Sequence, residues 1–101
     1  VTIETFTTED EAVAIANDTE YGLAGAVWSS NPGTTERVAA RLRHGTIWIN
    51  DFHPSLPQAE WGGMKMSGNG RELGPTGLAE YQEHKHVYHN IAPGVTGWFA
   101  Q

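Results

Sequence analysis

The sequence predicts an α/β protein whose centre is a βαβαβ unit with a parallel sheet. Three observations lead there. Short apolar segments at residues 1–6, 23–28 and 46–50 have the length and composition of strands. The two segments between them carry helix-start signals and apolar residues at helical spacing. The links are short, and strand–helix alternation with short links is the pattern of a parallel sheet.

In residues 1–6, Val1 and Ile3 alternate with Thr2 and Glu4, as along a strand. Thr8 opens the first helix. Glu11 lies three residues on, a capping-box spacing, and Glu9 and Asp10 suit the positive end of the helix dipole. Ala12, Val13, Ile15 and Ala16 form its apolar face, and Asn17, Asp18 and Gly22 end it. Residues 23–28 are nearly all apolar, which predicts a strand covered on both faces. Asn31 is an N-cap for the second helix with Pro32 at its first position. Val38, Ala39 and Leu42 face inward, Arg37, Arg41 and Arg43 face solvent, and Gly45 stands where a helix-ending glycine belongs. Residues 46–50 form the next strand, with Asn50 at its C-terminal end, where ligands of parallel sheets bind. Residues 75–82 predict a short helix with Leu78 and Tyr81 inward. Residues 83–91 read as a last strand, broken by Pro93 and Gly94, with an irregular tail to Gln101.

The chain has 101 residues, enough for one small domain. Six Lys and Arg against twelve Asp and Glu leave a formal charge of −6. That argues against nucleic acid, which needs a basic footprint, and against a basic membrane-surface segment. There is no cysteine, hence no disulfide, thiolate metal site or cysteine nucleophile within these residues. No apolar run has transmembrane length and the N-terminus is no signal peptide, so a cytoplasmic location is expected.

The least regular part is also the richest in glycine. Residues 61–74, WGGMKMSGNGRELG, hold Gly62, Gly63, Gly68, Gly70 and Gly74 of the chain's twelve. Glycine lets backbone pass close to something, and such loops often line sites. A dinucleotide loop does not fit. Gly68, Gly70 and Gly74 are spaced G-x-G-x-x-x-G, Leu73 stands at the third glycine, and no strand leads in. His84, His86 and His89 lack the carboxylate or cysteine partners that would complete a zinc site.

The same stretch resembles a segment near the C-terminus of aldehyde dehydrogenases. Its parts are Trp61, Gly62 and Gly63, Lys65, Ser67 and Gly68, then Gly70, Arg71 and Glu72. Asn17, Asp18 and Thr19 with residues 21–24, then residues 45–50, then residues 81–85 match further family segments in family order. Trp61, preceded by Pro57, Gln58 and Ala59, is most similar to the betaine aldehyde dehydrogenase branch. Family members are several times longer, and the chain begins at Val1 rather than Met, so a C-terminal piece is expected.

The resemblance implies roles. Residues 1–82 would be the C-terminal part of a catalytic domain, with residues 51–74 as substrate-channel loop. Residues 83–101 would be an oligomerisation strand and tail. Trp61 would face the aldehyde channel, where an indole face attracts a trimethylammonium group. Ser55 would line the same channel and leave room for a bulky head group, although a solvated turn serine after Pro54 explains it equally well. Glu72 would relay protons from a general base, a role that suits a carboxylate whose pKa burial has raised. A helix-start carboxylate is the plainer reading. Arg71, Glu83 and Lys85 would hold a subunit interface or framework. The carbonyls of Lys65 and Gly68 would help bind a monovalent cation such as potassium. NAD or NADP would be bound by parts not present in this chain. The partners implied are a small-molecule aldehyde, betaine aldehyde or an aminoaldehyde, and further copies in a dimer or tetramer. The other reading open at this point is a non-catalytic oligomerisation module, with residues 83–91 offering an edge.

Overall fold

The computed structural model describes residues 1–94 and Gly97. The elements run α1 (Glu9–Asn17), β1 (Tyr21–Gly22), β2 (Ala24–Val27), α2 (Pro32–Arg41), β3 (Thr46–Ile49), β4 (Met64–Lys65) and α3 (Gly74–Ala79). One βαβ unit is complete. β2 and β3 are parallel, with Ala24 opposite Thr46 and Val27 opposite Ile49, and α2 forms the crossover. β1 pairs antiparallel with β4 in a separate two-stranded sheet. The architecture is therefore mixed α/β.

Local signals explain both longer helices. Thr8 caps α1: its Oγ1 accepts from the Glu11 N–H at 3.2 Å. The Glu11 carboxylate reaches back to the N–H of Thr7, one residue beyond the usual capping-box donor, at 2.8 Å. Asn31 caps α2, accepting from the Thr34 N–H at 3.2 Å, and Pro32 stands in its first turn. The two helices also pair by charge. Arg37 Nη2 donates to Glu9 Oε2 at 2.8 Å, and Arg41 Nη2 to Asp10 Oδ1 at 2.7 Å. So Arg37 and Arg41 tie α2 to the first turn of α1 rather than merely facing water. The Arg37 hydrogen bond holds the Glu9 carboxyl below its ordinary value of 4.5. A depressed folded pKa contributes stability above the unfolded value and loses it as pH falls through the folded one. Contact between α1 and α2 should therefore loosen below pH 4.5. In an Arg37→Met variant the acid transition seen in the NMR shifts of α1 amides should move to higher pH, toward the ordinary glutamate value.

Gly45 does not end α2. Leu42 does, its N–H bonding the carbonyls of Val38 and Ala39. Gly45 is needed for contact instead: a Cβ there would lie 1.6 Å from the Gly62 carbonyl oxygen and 3.2 Å from that of Leu23. Asn50 (φ 52°) ties off the sheet end. Its Oδ1 accepts from the Ser29 N–H at 2.8 Å, and its Nδ2 donates to the Ser29 carbonyl at 2.9 Å.

Several expected elements are absent among the described residues. Residues 1–6 and 83–90 are exposed coil without ladder partners, so the first strand of the βαβαβ pattern and the last strand are not formed within this chain. Alternation favours a strand, but a neighbour must supply its hydrogen bonds. β2 is not covered on both faces, and Trp28 beyond it is 65% exposed. α3 spans Gly74–Ala79 and turns outward, leaving Leu78 and Tyr81 exposed rather than inward. Most of the expected tail lies outside the described residues.

The core is small. Val13 and Trp48 are its buried apolar side chains among the described residues. The radius of gyration is 22.4 Å, against about 13 Å for a compact domain of this length. Much apolar surface is thus left uncovered, Ile3, Phe6, Trp28 and Val87 included.

Candidate functional site

The loop that follows β3 turns back under the sheet end and builds an aromatic wall. Trp48, the buried residue of β3, anchors it. Its Nε1 donates to the Pro54 carbonyl at 3.3 Å, which folds residues 51–54 against the indole. Trp61 lies beside Trp48 with ring centroids 5.9 Å apart and planes 32° from parallel. His53 stands edge-on to Trp61 at 6.2 Å, and Phe52 edge-on to Trp48 at 5.7 Å. Such offset and edge-to-face pairs are attractive beyond their burial.

Two cavities flank this wall. One, of about 240 Å³, is lined by Trp48, His53, Pro54, Ser55, Trp61, Glu72 and Leu73. The other, of about 200 Å³, shares Trp48, Ser55, Trp61 and Leu73 and adds Glu60 and Leu56. Trp61, Ser55 and Glu72, singled out from sequence, thus come together. Trp61 and Glu72 are joined directly: each N–H donates to the other's carbonyl at 2.8 Å. The Glu72 side chain is exposed in this chain, not buried.

The glycines make this folding possible, and what they approach is the protein's own backbone. A Cβ on Gly62 would meet the Gly70 carbonyl oxygen at 2.4 Å, and one on Gly63 would meet the Ser67 backbone. Strain collects in the same loop. His53 (φ 70°), Lys65 (φ 53°) and Leu73 (φ 60°, ψ 175°) occupy left-handed backbone that glycine tolerates far better.

The charged candidates divide. Arg71 Nη1 donates to the carbonyls of Gly63 and Gly70, both at 2.7 Å, and so braces the loop from within. Lys65 Nζ donates to the carbonyls of Asn17 and Thr19 at 2.9 and 3.0 Å, a cation at the C-terminal end of α1. Its own carbonyl accepts from the Gly68 N–H at 3.3 Å, and Gly68 turns at φ 117°. Asn17 completes this junction: its Oδ1 accepts from the Arg43 N–H and its Nδ2 donates to the Arg41 carbonyl. Burial, with the Lys65 charge second, pushes the nearby His44 imidazole below its ordinary pKa of 6.5. Glu83 and Lys85 lie past α3, exposed, and line neither cavity.

Sequence reasoning does not single out Trp48, Phe52, His53 or Glu60 as site residues. The signal that could find the first three is position: aromatic rings at, or just past, the C-terminal end of a parallel strand.

Known proteins share this arrangement of elements. The family model described as aldehyde dehydrogenase family matches residues 1–87. A betaine aldehyde dehydrogenase of Bacillus subtilis is 63% identical over 98% of this chain and 20% of its own length. A peroxisomal aminoaldehyde dehydrogenase 1 of Pisum sativum is 46% identical over 96% of this chain and 19% of its own. The crystal structure of betaine aldehyde dehydrogenase from Staphylococcus aureus in complex with NAD+ superposes with a TM-score of 0.94 at 55% identity, covering 100% of this chain and 20% of that one. The chain thus spans about a fifth of the length of the relatives it matches.

Proposed function

The chain belongs to the aldehyde dehydrogenase family, and from that membership we propose that it is the C-terminal part of an NAD-dependent enzyme oxidising betaine aldehyde or an aminoaldehyde to the carboxylate. The observation that carries this reading is the paired Trp48 and Trp61 rings lining a cavity with Ser55 and Glu72. Indole faces attract a cation that has no hydrogen-bond donors, such as a trimethylammonium group. In this reading Trp61 orients the head group, Ser55 leaves room for it, and Glu72 passes a proton outward once the rest of the protein covers it.

The chemistry itself needs more than this chain. It has no cysteine to attack the carbonyl. NAD, when bound, takes up the hydride, but residues 61–74 do not fit a dinucleotide: Gly62, Gly63 and Gly74 lie against the chain's own atoms. The cofactor is therefore placed on other parts of the enzyme. NAD is preferred to NADP because the crystallised relative carries NAD+. Residues 1–82 supply the channel wall and residues 83–101 a contact between subunits. Support for the latter is the exposure of Val87, Tyr88 and Ile91 on a segment without a strand partner among the described residues. Glu83 and Lys85 would meet the neighbouring subunit, and the Lys65 and Gly68 carbonyls would contribute to a potassium site. No described helix is long and apolar enough to cross a membrane, and a cytoplasmic enzyme is part of the same proposal.

One assay tests the whole. The 101-residue chain should yield no NADH from betaine aldehyde and NAD, whereas the full-length protein should, as an oligomer that dissociates more readily when lithium chloride replaces potassium chloride. NADH formed by the short chain, or none formed by the full-length protein, overturns the reading.

A further inference from the structure

Glu60 immediately precedes Trp61 and lines the smaller of the two cavities with Trp48, Ser55 and Leu73. A surface glutamate ordinarily samples many rotamers, but this one is held. Thr76 Oγ1 donates to its Oε1 at 3.1 Å. Gly74, at φ 57°, presses on the same group: a Cβ there would lie 2.9 Å from the Glu60 carboxyl carbon. Hydrogen bonds from its own N–H, and then from Thr76, hold the carboxyl below its ordinary value, so it is anionic at neutral pH. The guanidinium of Arg71 is turned to the Gly63 and Gly70 carbonyls, and no ion pair engages Glu60 among the described residues. The result is a fixed negative charge at the rim of an aromatic cavity.

We propose that Glu60 is a specificity-determining residue: its carboxylate, in the smaller cavity that shares Trp48, Ser55 and Trp61 with the substrate cavity, makes that aromatic wall prefer aldehydes carrying a positive charge to neutral ones of the same shape. The proposal rests on the reading of this chain as part of an aldehyde dehydrogenase. An indole face attracts any cation set against it, but that attraction falls off at short range. A carboxylate at the rim acts over a longer distance and draws the cation in. Recognition is therefore shared between the two groups, with Glu60 discriminating by charge and the tryptophans by shape.

The test uses the full-length enzyme and two aldehydes, betaine aldehyde and its uncharged carbon isostere tert-butylacetaldehyde. Glu60→Gln keeps an acceptor for Thr76 and removes the charge. It should lower kcat/KM for betaine aldehyde by about 2- to 5-fold, mostly through KM, as for an exposed charge pair. Its effect on tert-butylacetaldehyde should be smaller, and the difference between the two aldehydes should shrink as salt is raised. Equal effects on both aldehydes, or none on either, overturn the proposal. Glu60→Ala serves if the glutamine variant does not fold, with the neutral aldehyde reporting an intact channel. Wild-type enzyme inactive on both aldehydes would sink the parent reading instead, a result distinct from a wild-type enzyme whose preference ignores Glu60.

Discussion

Replacing Trp61 with alanine should raise the KM of the full-length enzyme for betaine aldehyde by about 2- to 30-fold, the range that corresponds to 0.5–2 kcal/mol of cation–π attraction. The loss has two sources. One is the indole face offered to the head group. The other is the packing of Trp61 on Trp48 at 5.9 Å and on His53 at 6.2 Å, which keeps the wall upright. The backbone bonds between Trp61 and Glu72 do not depend on the side chain, so kcat should fall much less than KM rises. Trp61→Phe should recover part of the affinity, because a smaller ring still offers a π-face. Steady-state kinetics with betaine aldehyde separate these effects. An unchanged KM in the alanine variant would remove Trp61 from the substrate site.

Gly45→Ala should be the most damaging glycine-to-alanine change in the chain. The added carbon would fall 1.6 Å from the Gly62 carbonyl oxygen and 2.7 Å from its carbonyl carbon. Both belong to backbone, which cannot swing aside as a side-chain tip can. Either β3 or the segment carrying Trp61 must move, and a destabilisation of about 4 kcal/mol or more is expected. Marginally stable proteins do not absorb that readily. Gly33→Ala is the contrasting case. It sits in the first turn of α2 with ordinary contacts at 3.4 Å, and should be neutral or stabilise by about 0.5 kcal/mol. Melting temperatures of the two full-length variants give the comparison. Similar values would mean that the Gly45–Gly62 crossing yields where backbone should resist.

The contrast at Gly45 also shows what is legible in a sequence. Asn31 and Pro32 mark the start of α2, and Thr8 and Glu11 that of α1, because a cap acts on backbone two or three residues away. The βαβ unit of β2, α2 and β3 is readable for the same reason. Gly45 reads wrongly as a helix terminator because its actual neighbour, Gly62, is remote in sequence. Residues 1–6 and 83–91 have strand-like composition, yet a strand exists only beside another, and this chain supplies none there among the described residues. The site divides likewise. Trp61, Ser55 and Glu72 are found through resemblance and come together around one cavity. Trp48, Phe52 and His53 escape notice because an aromatic residue that packs and one that lines a site look alike in sequence. The anchoring of the Lys65 ammonium is hidden because its partners, the Asn17 and Thr19 carbonyls, lie at the far end of the chain's first helix.

The mutual backbone bonds of Trp61 and Glu72 also bear on how homologous chains can diverge. Residues 62–71 leave and return through that clamp, and Arg71, Ser67 and Lys65 tether most of the excursion. Only around Gly68 and Gly70 does an added side chain meet nothing. Insertions and deletions in descendants of this chain should therefore gather at Asn69 and its two glycine neighbours. Changes in selectivity should instead arise by exchanging side chains at fixed backbone positions, so that chain length and substrate choice drift independently.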